Sequence, residues 1–207
     1  MKSKYVITIG RQLGSGGRII GEKLAAKLGI NFYDKELIQI ASRESGFGKE
    51  FFEQADEKKL YSVFGGLFGL SGTIAEELFS TYYLNNETLF KIQSDVIRNL
   101  ADKGSCLFVG RCADYVLSGH PAVLNVFVCA DLADRVHRIA EQQKLTPGKA
   151  RDFIEKADKK RAGYYNYFSS KRWGVADTYH LCVNSSWLGL DETVELISSF
   201  AAKRFGL

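Results

Sequence analysis

The stretch that decides the fold is Tyr5-Val-Ile-Thr-Ile9, followed at once by Gly10-Arg-Gln-Leu-Gly-Ser-Gly-Gly-Arg18. A β-branched run leads into a glycine-rich turn. The turn opens into a segment with Ile20, Leu24 and Leu28 on one helical face and Gly29 as its C-cap. Strand, glycine-rich loop and helix together make the geometry that binds a phosphate chain. Glycine lets the backbone approach closely, successive N–H groups turn inward, and the helix N-terminus adds partial positive charge. A plain strand-to-helix turn is the blander reading, but four glycines and Ser15 exceed what a turn needs. The loop is not a regular phosphate loop. That pattern requires Lys and then a hydroxyl residue after its last glycine. After Gly16 this chain has Gly17 and Arg18.

A length of 207 residues suits one domain, or one core with a small inserted subdomain. An apolar share of 45% and a charged share of 25% are ordinary for a soluble globule. The longest apolar runs are strand-sized, which argues against a membrane span. Residues 1–9 lack the apolar centre of a signal peptide, so the expected compartment is the cytoplasm. None of the four cysteines forms a C-x-x-C pair. Cys106, Cys129 and Cys182 read as small buried residues in strands, and Cys112 as a loop thiol rather than a nucleophile. The net charge of +4 is unevenly spread: nine Lys/Arg between Lys144 and Arg172 face three acids, a local excess of +6. Such a run suits a solvated helix, a nucleic-acid face or a clamp on a small polyanion.

Further along, Ile30–Tyr33 reads as a short buried strand, with Asp34 as the N-cap of a helix to about Ser45. Residues 46–84 lose all clean periodicity and are rich in Gly and aromatics. We read them as a small helical insertion with a glycine-rich centre. A helix from Asn86 to Asp102 follows, then apolar strands at Cys106–Val109 and Leu124–Cys129. Next come a helix capped by Asp131, a basic helix over 149–168, a strand at Leu181–Val183 and a closing helix from Leu190 to Lys203. Strands alternating with helices, and apolar on both faces, call for a parallel α/β sheet covered on both sides. In such sheets ligands bind beyond the carboxyl ends of the strands. The residues just past those ends are Arg11 and Arg18, Asp34, Arg111 and Asp114, Asp131 with Arg135 and Arg138, and Asn184 to Ser186. Arginines that clamp anionic groups beside carboxylates are what phosphoryl transfer requires.

The chain resembles the nucleoside monophosphate kinases of the P-loop class, and most of all the divergent cytidylate kinase-like branch. The resemblance spans nearly the whole length. It rests on Ile9–Gly17, Phe32-Tyr-Asp-Lys35, Val109-Gly-Arg111, Asn125–Asp131 and Asp158-Lys-Lys-Arg161, in that order. It implies a five-stranded parallel sheet in order 2-3-1-4-5 and one kinase-like domain over 1–207. Within that domain, 46–84 corresponds to a monophosphate-binding insertion and 144–172 to a lid-like segment. By position, Gly14, Ser15 and Gly16 match the phosphate-cradling residues, with Gly17 and Arg18 completing the loop. Arg111 matches the arginine that grips the acceptor phosphate, and Lys159, Lys160 and Arg161 fall in the lid helix. ATP and Mg²⁺ are the implied cofactors. The departures are specific: Gly17 replaces the loop Lys, Arg18 its hydroxyl neighbour, and Val109 and Cys112 the two Asp residues of an Asp-Gly-Arg-Asp segment.

The function this implies is ATP-dependent phosphorylation of a nucleoside monophosphate of the CMP or dCMP kind, or of a related small acceptor. Arg11 and Arg18 would serve the donor phosphates, and Lys160 and Arg161 would neutralise charge as the lid closes. Arg111, Asp114, Asp34 and Arg135 are the candidate acceptor-side residues, and the ligands of a metal are left undefined. The competing reading is a non-catalytic sensor of a nucleotide or phosphometabolite, favoured by the missing Lys and hydroxyl. A nucleic-acid binder using the basic helix ranks last, since no base-reading motif is present. An oligomer is compatible with the sequence.

Overall fold

The computed structural model describes residues 4–34 and 72–207. The chain divides into two compact units, residues 1–35 with 100–207, and residues 36–99. The first contains β1 (Val6–Arg11), α1 (Gly17–Leu28) and β2 (Asn31–Tyr33). A long helix α2 (Gly72–Lys103) runs from the second unit into the first. Then come β3 (Cys106–Val109), the single turn α3 (Ala113–Val116), β4 (Val123–Cys129), α4 (Leu132–Gln143), α5 (Pro147–Ser169), β5 (Leu181–Asn184) and α6 (Ser185–Phe205).

All the strands are parallel, in the order β2-β3-β1-β4-β5 that the resemblance implies. Strand β1 lies at the centre, with Ile7 level with Leu107 on one side and Leu124 on the other. Its alternate residues face opposite layers. Ile7 and Ile9 join Leu107, Val109, Leu124 and Val126 in a core with Ile20 and Leu24 of α1 and Val194, Ile197 and Ala201 of α6. Thr8 faces the other way and donates to Asn125 Oδ1 at 2.8 Å. A smaller apolar cluster joins Ile139 of α4 to Ala150 and Ile154 of α5, with Leu13 of the phosphate-type loop packed on it. That loop is thereby attached to the α4–α5 hairpin as well as to the sheet.

Several expectations shift. Gly29 caps α1 in the left-handed region (φ 63°), as its position suggests. Helix α2 starts at Gly72 rather than Asn86. No Gly or Pro interrupts 73–103, and the helix runs on through Asn85-Asn86. In its second-unit portion Ile92, Val96 and Ile97 are buried, at helical spacing. Cys182 is exposed rather than buried. β5 is one of the two edge strands, and of its four residues only Val183 is buried. The closing helix begins at Ser185, five residues early, because Gly189 (φ 73°, ψ 177°) breaks a first turn from the main helix. The proposed helix after Asp34 and residues 46–71 of the insertion lie outside the described residues.

Leu24 is wholly buried between α1 and the sheet. Leu24→Ala is expected to lower unfolding free energy by about 2–5 kcal/mol, read from urea denaturation. Lys27→Ala, which removes an exposed ion pair with Glu195, should cost less than about 1 kcal/mol.

Candidate active site

The loop between β1 and α1 is held by its carbonyl groups. The Arg11 carbonyl accepts from Arg161 (3.2 Å), that of Gln12 from Ser15 Oγ (2.9 Å), and that of Leu13 from Arg135 Nε (2.8 Å). The Gly14 carbonyl accepts from Arg138 (2.9 Å) and that of Ser15 from Ser185 Oγ (2.7 Å). The Leu13 amide donates to Asp158 Oδ1 at 2.8 Å. Gly14 and Gly16 adopt φ 79° and 77°, so the chain reverses twice before α1 begins at Gly17. With the carbonyls tied back, the amides of Gly14 and Gly16 donate to no acceptor among the described residues. Alternating left- and right-handed residues that leave amides free form an anion-binding concavity, here at a helix N-terminus.

Asp158 and Arg135 form the main tether of this loop. Their carboxylate and guanidinium pair directly, with side chains only 15% and 8% exposed, and each also binds Leu13. Arg135, a candidate for substrate contact, is therefore engaged in shaping the loop. Asp158 is the residue that sequence reasoning passed over. Its signal was an acid set three residues before Arg161 inside a basic helix.

Beside the loop, at the carboxyl ends of β1 and β3, lies a cavity of about 330 Å³. Arg11, Arg111, Lys160 and Arg161 line its cationic side, while Tyr164, Tyr165, Trp173 and Tyr179 supply aromatic walls around Asp114. The aromatic wall was not anticipated, because those residues lie in the basic run and the segment after it. Gly110, Arg111 and Cys112 are three consecutive left-handed residues, with φ 79°, 57° and 53°. Such a conformation costs about 1–3 kcal/mol at each non-glycine position. It carries the Arg111 guanidinium over the Tyr164 ring, 5.6 Å from its centroid. Lys159 is exposed and does not line the cavity.

Arg18 turns elsewhere. Its Nε donates to Asp34 Oδ2 at 2.8 Å and its NH1 lies 3.4 Å from Glu22. Asp34, proposed as a cap or a substrate ligand, is buried in that pair. Arg18 and Asp34 thus sit together, at the β2 side of α1.

Burial first, then the nearby charges of Arg161 and Arg111, push the Arg11 guanidinium down to about 9, against a smaller opposing pull from Asp34 and Asp158. Arg161 is likewise lowered, chiefly by burial. Crowded cations of this kind are relieved by an anion. Burial raises the Asp114 carboxyl, and the hydrogen bond from Tyr165 (2.6 Å) opposes that only in part. Burial pushes the Cys112 thiol up to about 12, which keeps it from acting as a nucleophile.

A resident magnesium ion does not fit these side chains. No group of three ligand-type side chains occurs among the described residues. Arg18 stands where a coordinating hydroxyl is usual, and Ser15 Oγ is spent on the Gln12 carbonyl. Asp158 and Asp34 are held by arginines and Asp114 by Tyr165.

Two outcomes test this geometry. Asp158→Ala leaves the buried Arg135 without its carboxylate and is expected to cost about 3–5 kcal/mol by chemical denaturation. Asp114 has a folded-state pKa above its unfolded value, so the folded state binds the extra proton. The stability this gives is present at low pH and is lost as pH rises from the ordinary carboxylate range through the raised value. Asp114→Asn is expected to remove that downward slope when melting temperature is followed upward from pH 4.

The family model of the cytidylate kinase-like family matches residues 6–187. An uncharacterised protein from Eubacterium ventriosum ATCC 27560 has a similar solved structure (TM-score 0.73, 24% identity), covering 97% of this chain and 100% of its own. Shikimate kinase from Bacteroides thetaiotaomicron is similar at TM-score 0.53 and 13% identity, covering 96% of this chain and 98% of its own. A gluconokinase from Sinorhizobium meliloti 1021 is similar at TM-score 0.52 and 12% identity, covering 100% and 96%. At these identities the solved structures show a shared fold alone. No curated protein matches the chain significantly. With a family match over most of its length and the sheet order and loop position that go with it, the chain belongs to the cytidylate kinase-like family.

Proposed function

We propose that the protein transfers the γ-phosphoryl group of ATP to a nucleoside monophosphate of the CMP or dCMP kind, or to a closely related small phosphorylated acceptor. The observation that carries this reading is the adjacency of two anion sites: the tethered loop with unsatisfied Gly14 and Gly16 amides, and the cavity with four cationic side chains. Kinase membership at the family level and a kinase fold support it. The donor phosphates lie on Gly14 to Arg18. The acceptor phosphate enters the cavity against Arg111, with Lys160 and Arg161 on the same cationic side. Its oxygen attacks the γ-phosphorus as the bond to the β–γ bridging oxygen breaks, and ADP leaves. Catalysis of such a step is positioning and charge stabilisation. Magnesium would arrive with the nucleotide rather than on these side chains, and its charge would add to the neutralisation provided by Arg11, Arg111, Lys160 and Arg161. Asp114 and the aromatic walls face the rest of the acceptor.

The second reading, a sensor that binds without turnover, is favoured by Gly17 and Arg18 at the loop Lys and hydroxyl positions. A coupled ADP-release assay with ATP, Mg²⁺ and CMP separates the two. Turnover is expected, and Arg111→Ala should raise the KM for the acceptor by roughly 10- to 150-fold, the value of a charge-assisted contact. Saturable ATP and CMP binding by thermal shift with no ADP formed would favour the sensor.

A further inference from the structure

We propose that Arg11 occupies the place of the missing loop lysine, reaching the transferring phosphoryl group from the strand side of the loop instead of from the helix. This rests on the phosphotransferase reading above. Gly17 is the first residue of α1, directly after Gly16, where the general pattern has its Lys. A Cβ at Gly17 would lie 2.6 Å from Arg11 Cβ and 3.1 Å from its Cγ. Any side chain at 17 would therefore collide with the stem of Arg11, whose Cβ cannot swing aside. The other end of Arg11 rests on a second bare Cα: a Cβ on Gly110 would fall 1.9 Å from its NH1. The side chain thus runs from the head of α1 to the end of β3. It crosses from the donor loop to the acceptor cavity, over a path cleared by two glycines.

Its charge is left available. Among the described residues the Arg11 guanidinium donates to no acceptor, and its nearest cationic neighbours are Arg161 and Arg111. The carboxylates that offset them are committed elsewhere, Asp158 to Leu13 and Arg135, and Asp34 to Arg18. Arg18, the other candidate for the lysine role, points at Asp34 with its side chain 56% exposed. A guanidinium in Arg11's position offers a planar fork to two oxygens of the γ-phosphoryl as the acceptor oxygen bonds to phosphorus and the β–γ bridge breaks. The charge gathered on those oxygens in the transfer is what it meets.

The test is the affinity gap between ATP and ADP, measured by calorimetry with Mg²⁺ at fixed moderate salt. Wild type is expected to bind ATP more tightly than ADP. Arg11→Ala should shrink that gap by roughly tenfold or more, with ADP affinity nearly unchanged. Gly17→Lys alone should also lose the gap, because its Cβ and the Arg11 stem cannot both keep their places and the Arg11 guanidinium is forced off its position. Combining Gly17→Lys with Arg11→Gly should restore it, by returning the lysine to a cleared path. Circular dichroism confirms that each variant is folded, and Arg11→Ala carries the test alone if the lysine variants do not fold. A wild-type gap retained in Arg11→Ala, or one erased by Arg18→Ala instead, overturns the assignment and leaves the kinase reading standing. A wild type that binds neither nucleotide overturns the kinase reading, and this assignment with it.

Discussion

Asp158 is the side chain on which the site's geometry depends. One carboxylate takes the Leu13 amide and the Arg135 guanidinium, and Arg135 in turn holds the Leu13 carbonyl. Both polar groups of a single loop residue are thereby satisfied by one buried ion pair. Breaking either partner exposes a loop amide or carbonyl and strands a buried charge. The carbonyls of Arg11, Gly14 and Ser15 are tied to Arg161, Arg138 and Ser185, from α5, α4 and α6. Three helices therefore set the loop's shape, and the amide concavity is their common product. Because α5 also supplies Lys160 and Arg161 to the cavity, the element that shapes the loop also walls the cavity.

That arrangement gathers cations faster than it neutralises them. Burial first, then the charges of Arg161 and Arg111, lower the Arg11 guanidinium's tendency to stay protonated, and burial chiefly lowers that of Arg161. Guanidinium groups nevertheless remain charged at neutral pH. The free protein thus holds an unfavourable electrostatic arrangement in a site of limited solvent access, sustained by the apolar packing beneath it. An incoming polyanion removes repulsion as well as forming contacts. Affinity in such a site responds to the total charge of the ligand, and added salt weakens it.

Much of the scaffold was legible in the sequence. The apolar runs at Val6–Ile9, Cys106–Val109 and Leu124–Cys129 leave few options but parallel strands, and Gly29 and Asp131 marked helix ends where the structure has them. The loop was legible too, because its glycines are clustered between residues 10 and 17. What escaped reading depends on pairs distant in sequence. Nothing local says that Asp158 meets Leu13, or that Arg11 lies over both Gly17 and Gly110. Arg11 and Arg18 bracket the loop in sequence, and the position of Asp34 turns Arg18 away from it. Cys182 was misjudged because composition does not say which strand lies at the edge.

The left-handed turn at Gly110, Arg111 and Cys112 has a bearing on how ligand capture is divided between structure and motion. An arginine on an ordinary loop loses rotamer freedom when it grips a phosphate, and binding is weakened accordingly. Here the backbone beneath Arg111 already occupies an uncommon basin, and the Tyr164 ring lies under its guanidinium. Part of the ordering that binding requires is completed when the protein folds. The same turn sets a direction for relaxation: a backbone that slips back toward the right-handed region carries Arg111 away from the cavity. Loosening of this one corner would therefore unmake the cationic side of the cavity while the sheet stayed intact.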